Sequence, residues 1–195
     1  MRLNAAARLI FNDPGRDSFP EMPKVDLSTL PRLPERRRNV KIELKMEVLY
    51  QTLGTSQQNT QTFRGEEISV SRESVGGHIF FQTFSLEPTT PLPGLEIEAK
   101  FRWAPENYDN PGQTTAWKAA GILDRPELGK LHGFGLRVSG PSAKYFSIRY
   151  QATNFGGQSW PGENGTEIGH WEQNTHIYEY HDWCLRHIEV SLRLK

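Results

Sequence analysis

Two tryptophans set among glycines, Trp117 and Trp160, are the side chains best suited to meet another molecule. An indole offers a flat apolar face, and a sugar ring can lay its C–H face on it while polar neighbours bond the hydroxyls. Around Trp160 those neighbours are Gln158, Glu163 and Asn164. A second dense polar-aromatic run follows, His170 to Trp183, and contains Trp171, Tyr178, Tyr180 and Asp182. If that run is extended, Tyr178 and Tyr180 share one face, with Glu179 and His181 on the other. Amphipathic rings concentrated in one inserted segment suit a ligand or partner surface. Each feature also has a plainer reading. A Trp in a hairpin commonly packs over the next strand. Asn164-Gly165 is explained by a turn in which both residues need positive φ. The His170–Trp183 run can simply cover one end of a domain.

Other chemistries find little here. His170, His176 and His181, with Glu179 and Asp182, match no zinc-ligand spacing, so no metal is expected. Glycoside hydrolysis needs two placed carboxylates, and Glu163 with Asp182 is only one of many pairs that 23 acidic residues provide. No phosphate loop, nucleophile elbow or dinucleotide fingerprint is present, so neither cofactor nor enzymatic activity is expected. Cys184, the only cysteine, excludes an intrachain disulfide. It lies among apolar residues and reads as a buried thiol. Charge balances, 23 basic against 23 acidic residues. No basic stripe with interleaved aromatics marks a nucleic-acid surface. No apolar run approaches the roughly 20 residues that would insert in a membrane.

These residues need strands to position them. Seventeen glycines, 13 prolines and 21 aromatic residues favour a turn-rich β protein. Val40, Ile42, Leu44, Met46, Val48 and Tyr50 alternate, as do Leu95, Ile97, Ala99, Phe101 and Trp103, and again Phe146, Ile148, Tyr150 and Ala152. Each series predicts a half-buried strand. Thr52 to Thr62 reads as a polar loop or hairpin tip, and Phe63 to Val70 as a second hairpin. Ile79–Leu86, Leu131–Val138 and Leu185–Leu194 read as closing strands.

The pattern recurs in three units, about 39–91, 92–143 and 144–195. Ile79, Leu131 and Leu185 correspond, then Phe84, Leu136 and Val190, then Leu86, Val138 and Leu192. Phe63, Trp117 and Trp160 occupy parallel places. Repeats of this length with several strands each predict an all-β, pseudo-threefold domain over residues 39–195, closed so that no sheet edge is free. A β-prism of three sheets fits long outer strands with short inner ones; a β-trefoil is the alternative.

The third unit resembles the clostridial hydrophobic-Trp (ChW) repeat. The matching residues are Ile148 and Tyr150, Gly157 with Trp160, Asn164-Gly165, Ile168-Gly169 and the strand from Leu185 to Leu192. The second unit is similar through Phe101, Trp117, Gly121 and Leu131 to Val138, and the first through Phe63 and Gly65. The His170–Trp183 segment departs from the repeat by separating Gly169 from its last strand. The resemblance implies a non-catalytic adhesion or glycan-binding module that works outside the cell.

Residues 1–38 differ from the rest. They carry five of the 13 prolines and eight basic against five acidic residues. They predict an extended arm that anchors the domain to a protein assembly partner. Arg36-Arg37-Arg38 reads as a solvated or acid-facing run. At the N-terminus Arg8 breaks the apolar run and Asn12-Asp13-Pro14-Gly15 follows at once, which argues against a signal peptide. The expectation is therefore a protein made in the cytoplasm that acts extracellularly by binding a cell-surface polysaccharide or other glycan. It could be carried there as a receptor-binding spike on a phage-like particle assembled in the cytoplasm. The competing expectation is a purely structural capping or decoration component.

Overall fold

The structure, a computed structural model, describes residues 40–103, 113–123, 129–170 and 183–195. The arm, residues 1–38, lies outside the described residues, as do Trp171, Tyr178, Tyr180 and Asp182.

The described chain is all-β, with antiparallel pairing throughout and two 3-10 turns, Glu73–Val75 and Ala143–Tyr145. The first unit holds β1 (Lys41–Ile42), β2 (Leu44–Thr52), β3 (Gln58–Gly65), β4 (Glu67–Ser71) and β5 (Ile79–Pro88). The second holds β6 (Glu96–Trp103), β7 (Lys118–Ala119) and β8 (Leu131–Ser139). The third holds β9 (Phe146–Asn154), β10 (Ser159–Glu163), β11 (Glu167–Gly169) and β12 (Leu185–Leu194). The strands form three sheets rather than one closed sheet. The first is ordered β3-β2-β5 and the second β11-β8-β6-β7. The third is ordered β1-β12-β9-β10, with β4 also paired to β12.

Alternation places one face of every sheet inside. Met46, Val48, Phe84 and Leu86 face inward from the first sheet, Ala99, Phe101, Phe134 and Leu136 from the second, and Ile148, Tyr150, Ile188 and Val190 from the third. All belong to one core. Phe84 sets its ring edge-on to Phe101, at 5.0 Å, and to Phe134, at 5.1 Å, and Phe134 lies 5.5 Å from Tyr150. Three aromatic contacts thus join all three sheets, and buried aromatic pairs of this geometry add about 0.5–1.5 kcal/mol each beyond their burial.

The structure differs from the sequence expectation at the corners. The first long strand is broken at Glu43: Lys41–Ile42 pairs with β12 in the third sheet, whereas Leu44–Thr52 belongs to the first. Thr89 holds the break, its N–H donating to Glu43 O at 3.0 Å and its hydroxyl to Glu43 Oε2 at 2.8 Å. The polar stretch 58–62 is strand, not loop. β3 is an edge, so its Gln, Asn and Thr side chains need little burial. β4 does not fold back on β3 but crosses to pair with β12. Likewise Asn164 (φ 24°) and Gly165 (φ 97°) adopt the positive φ expected of them, yet the turn is a corner that sends β11 to β8. At the matching place in the second unit, Leu86 N donates to Ala120 O at 2.8 Å.

The closing strands start where expected, and each has one register irregularity, at Gln82, His132 and Arg186. Counted from it, Phe84, Phe134 and Ile188 share a position, followed by Leu86, Leu136 and Val190. The first unit is therefore shifted by two residues relative to the correspondence drawn from its first apolar residue. β5 runs three residues before its irregularity, and β8 and β12 only one.

Candidate site on the outward face of the third sheet

The polar face of the third sheet follows from the same alternation that buries its other face. Along β9 the outward residues are Ser147, Arg149, Gln151 and Thr153; along β12 they are His187, Glu189, Ser191 and Arg193. β10 adds Pro161 and Glu163 on one side, and β4 adds Glu67 and Ser69 on the other. One row reads Glu163, Arg149, Ser191, Glu67 across four strands. Neighbouring strands lie about 4.8 Å apart, so the two glutamate backbones stand about 14 Å from each other. Small Ser191 between longer side chains leaves an open concavity of about 420 Å³. This is within the roughly 300–1,000 Å³ of ligand clefts.

The walls are oriented by their own partners. Lys41 Nζ donates to Glu67 Oε2 at 2.8 Å, and this bond holds the Glu67 carboxyl below its usual range. Ser147 Oγ donates to Glu163 Oε1 at 2.6 Å and is the main cause of a lowered Glu163 carboxyl pKa, with Arg149 Nε 3.7 Å away adding to it. Both carboxylates therefore stay ionised and act as acceptors. On the floor Gln151 Nε2 donates to Ser159 Oγ at 2.7 Å. His187 Nε2 lies between Ser69 Oγ, at 2.9 Å, and Glu189 Oε1, at 3.4 Å.

Of the residues singled out from sequence, Glu163 lines this concavity. Trp160 is on the same strand but its other face. It sits opposite buried Ala152 and packs on the core. Gln158 closes the 154–158 turn, where its N–H donates to Asn154 Oδ1 at 2.7 Å and its side chain accepts from Asn154 Nδ2 at 3.2 Å. Asn164 Oδ1 accepts from Val138 N at 2.8 Å and joins the corner to β8. Trp117 lies on the outward face of the second sheet, over Gly135, where an added Cβ would meet its ring at 2.8 Å. The Arg137 guanidinium stands 4.6 Å from its ring centroid. Trp117 and Trp160 thus occupy different sheets and opposite faces, and Phe63 packs inward like Trp160.

Arg149, Gln151, Glu189, Ser191, Arg193 and Glu67 escaped the sequence reading. The signal for five of them was the polar half of each alternation in β9 and β12. Glu67 had none, because nothing local tells that β4 joins β12. A second arrangement was also missed: Cys184, 1% exposed, has its Sγ 3.5 Å from His132 Nε2, and the His170 ring stacks on Trp183 at 4.1 Å. Burial, helped by the charges of His170, Arg102 and Lys130, pushes the His132 pKa down to about 3, so its imidazole is neutral. Among the described residues no group of three or more His, Cys, Asp or Glu side chains is placed to hold a metal ion, and no helix is long and apolar enough to cross a membrane.

Compared with known proteins, the chain matches no family model, no curated protein and no solved structure.

Proposed function

We propose that this chain is a non-catalytic glycan-binding module whose site is the outward concavity of the third sheet. The observation that carries the reading is the row Glu163–Arg149–Ser191–Glu67, an alternation of charged acceptors and donors around a small floor residue. A sugar hydroxyl both donates and accepts, so a polyol needs such a mixture, and charged partners bond it more strongly than neutral ones. Pro161 adds an apolar surface to the lining. Binding is favoured over hydrolysis because a glycosidase needs one carboxyl raised so that it can donate a proton, whereas Glu67 and Glu163 are both lowered. Trp117, half-exposed beside Arg137, is a second surface of the kind that glycans stack on.

The domain that presents this site is, in our reading, a closed pseudo-threefold assembly of the prism kind. Its support is the direction of three exchanges. The first unit gives β4 to the last strand of the third, the third gives β11 to the last strand of the second, and Ala120 of the second meets the last strand of the first. Three separate sheets around one core suit a prism better than a trefoil. The resemblance to the ChW repeat agrees with an extracellular adhesion role, and residues 1–38 would attach the module to a larger particle.

The test is binding of the full chain to a glycan array and to intact cells. Saturable binding that free oligosaccharide competes away, and that Glu163→Gln with Gln151→Ala weakens about tenfold or more, supports the reading. No glycan binding, together with incorporation of the chain into a larger particle, would establish the structural capping role instead.

A further inference from the structure

The cations around the concavity are not equivalent. Lys41 is bonded to Glu67 at 2.8 Å, and Arg149 stands 3.7 Å from Glu163. Arg193 lines the same concavity, two residues along β12 from Ser191 and opposite Ser147 and Lys41 in register. Its Nε is buried and has no hydrogen-bond partner among the described residues. Its charge is felt at Glu67, but the Glu67 hydrogen bond goes to Lys41. The Ser147 hydroxyl is already given to Glu163. The two wall carboxylates are thus matched without Arg193, whose planar guanidinium has the geometry to bind two oxygens of a carboxylate or phosphate at once.

We propose that Arg193 makes the concavity selective for glycans bearing an anionic group, a uronate carboxylate or the phosphate of a phosphodiester-linked sugar. This rests on the glycan-binding reading of the third sheet. The two sources share the chemistry of paired anionic oxygens, and the test separates them.

The full chain, with Arg193→Gln and Arg193→Lys variants, is titrated calorimetrically with three oligosaccharides of equal length: a neutral glucan, an oligouronate and a phosphodiester-linked sugar oligomer. Thermal melts verify that both variants remain folded. One anionic oligomer is expected to bind about tenfold or more tighter than the glucan, and which one identifies the source. Arg193→Gln should abolish the preference, and Arg193→Lys should keep only part of it, since an ammonium cannot form the two-pronged contact. Equal binding of glucan and anionic oligomers, or a preference that survives Arg193→Gln, would overturn this inference and leave the glycan site standing. Binding of none of the three would overturn the glycan reading, and this inference with it.

Discussion

Asn164 shows how much one side chain can decide. It is the only non-glycine with positive φ among the described residues, and its Oδ1 accepts the Val138 N–H at 2.8 Å. Replacing it by Ala leaves that buried donor unpaired and strains the corner, so Asn164→Ala should cost about 1–3 kcal/mol in urea denaturation. Asn164→Gly, which relieves the backbone but not the donor, should cost less than Ala. His132 gives the second residue-scale prediction. Its folded pKa, about 3, lies well below the usual 6.5. Between these values the unfolded chain binds a proton that the native fold excludes, so stability falls as pH drops from about 6.5 toward 3. The slope from this group is at most about 1.4 kcal/mol per pH unit. Denaturation midpoints from pH 7 to pH 4 should show it, and His132→Gln should flatten it. The Cys184–His132 contact spans 52 positions and two units, and no local pattern in the sequence announces it.

At the scale of elements, what could be read from sequence was what burial writes into it. β2, β6, β8, β9 and β12 bury alternate apolar side chains, and the periodicity betrays them, whereas β5 is betrayed by a continuously buried, Phe-rich run from Ile79 to Leu86. β3 was misread because residues 58–62 are polar on both faces, and β4 because a five-residue strand does not reveal its partner. The same geometry predicts exchange behaviour. Between Lys41 and Ser71, β1 and β4 flank one edge of β12 while β9 covers the other. Amides of β12 at 188–192 should therefore be among the slowest in native-state hydrogen exchange, and those of the edge strand β3 among the fastest. Comparable protection in the two would contradict the pairing. Trp160 also belongs to this scale, since the strand's register turns it to the core. Trp160→Ala should lower stability by about 1–3 kcal/mol, less than a fully buried Trp. Binding by the remaining folded protein should be nearly unchanged. A stable variant that no longer binds would return Trp160 to the site.

For the molecule, the three long closing strands were legible in the sequence, but the distant strands that the short segments join were not. Such long-range pairing is decided by the whole core. It has a consequence for folding. A unit cut out alone, such as residues 144–195, loses the strand β4 that pairs with β12 and the Phe134 ring beside Tyr150. That fragment should show no cooperative melt, whereas the full chain should unfold over residues 40–195 in one transition. An independently folding unit would argue against a shared core. The site is a property of the same scale: its row draws β9, β10 and β12 from the last third of the sequence and β4 from the first half.

The central claim, that a glycan occupies the outward face of the third sheet, is tested most directly by amide chemical shifts. The isotope-labelled full chain would be titrated with the oligosaccharide that binds best. Saturating shifts clustered on Arg149, Gln151, Glu163 and Ser191, with the second sheet quiet, are the predicted result. Shifts confined to Trp117 and its neighbours, or none with any glycan, would contradict it.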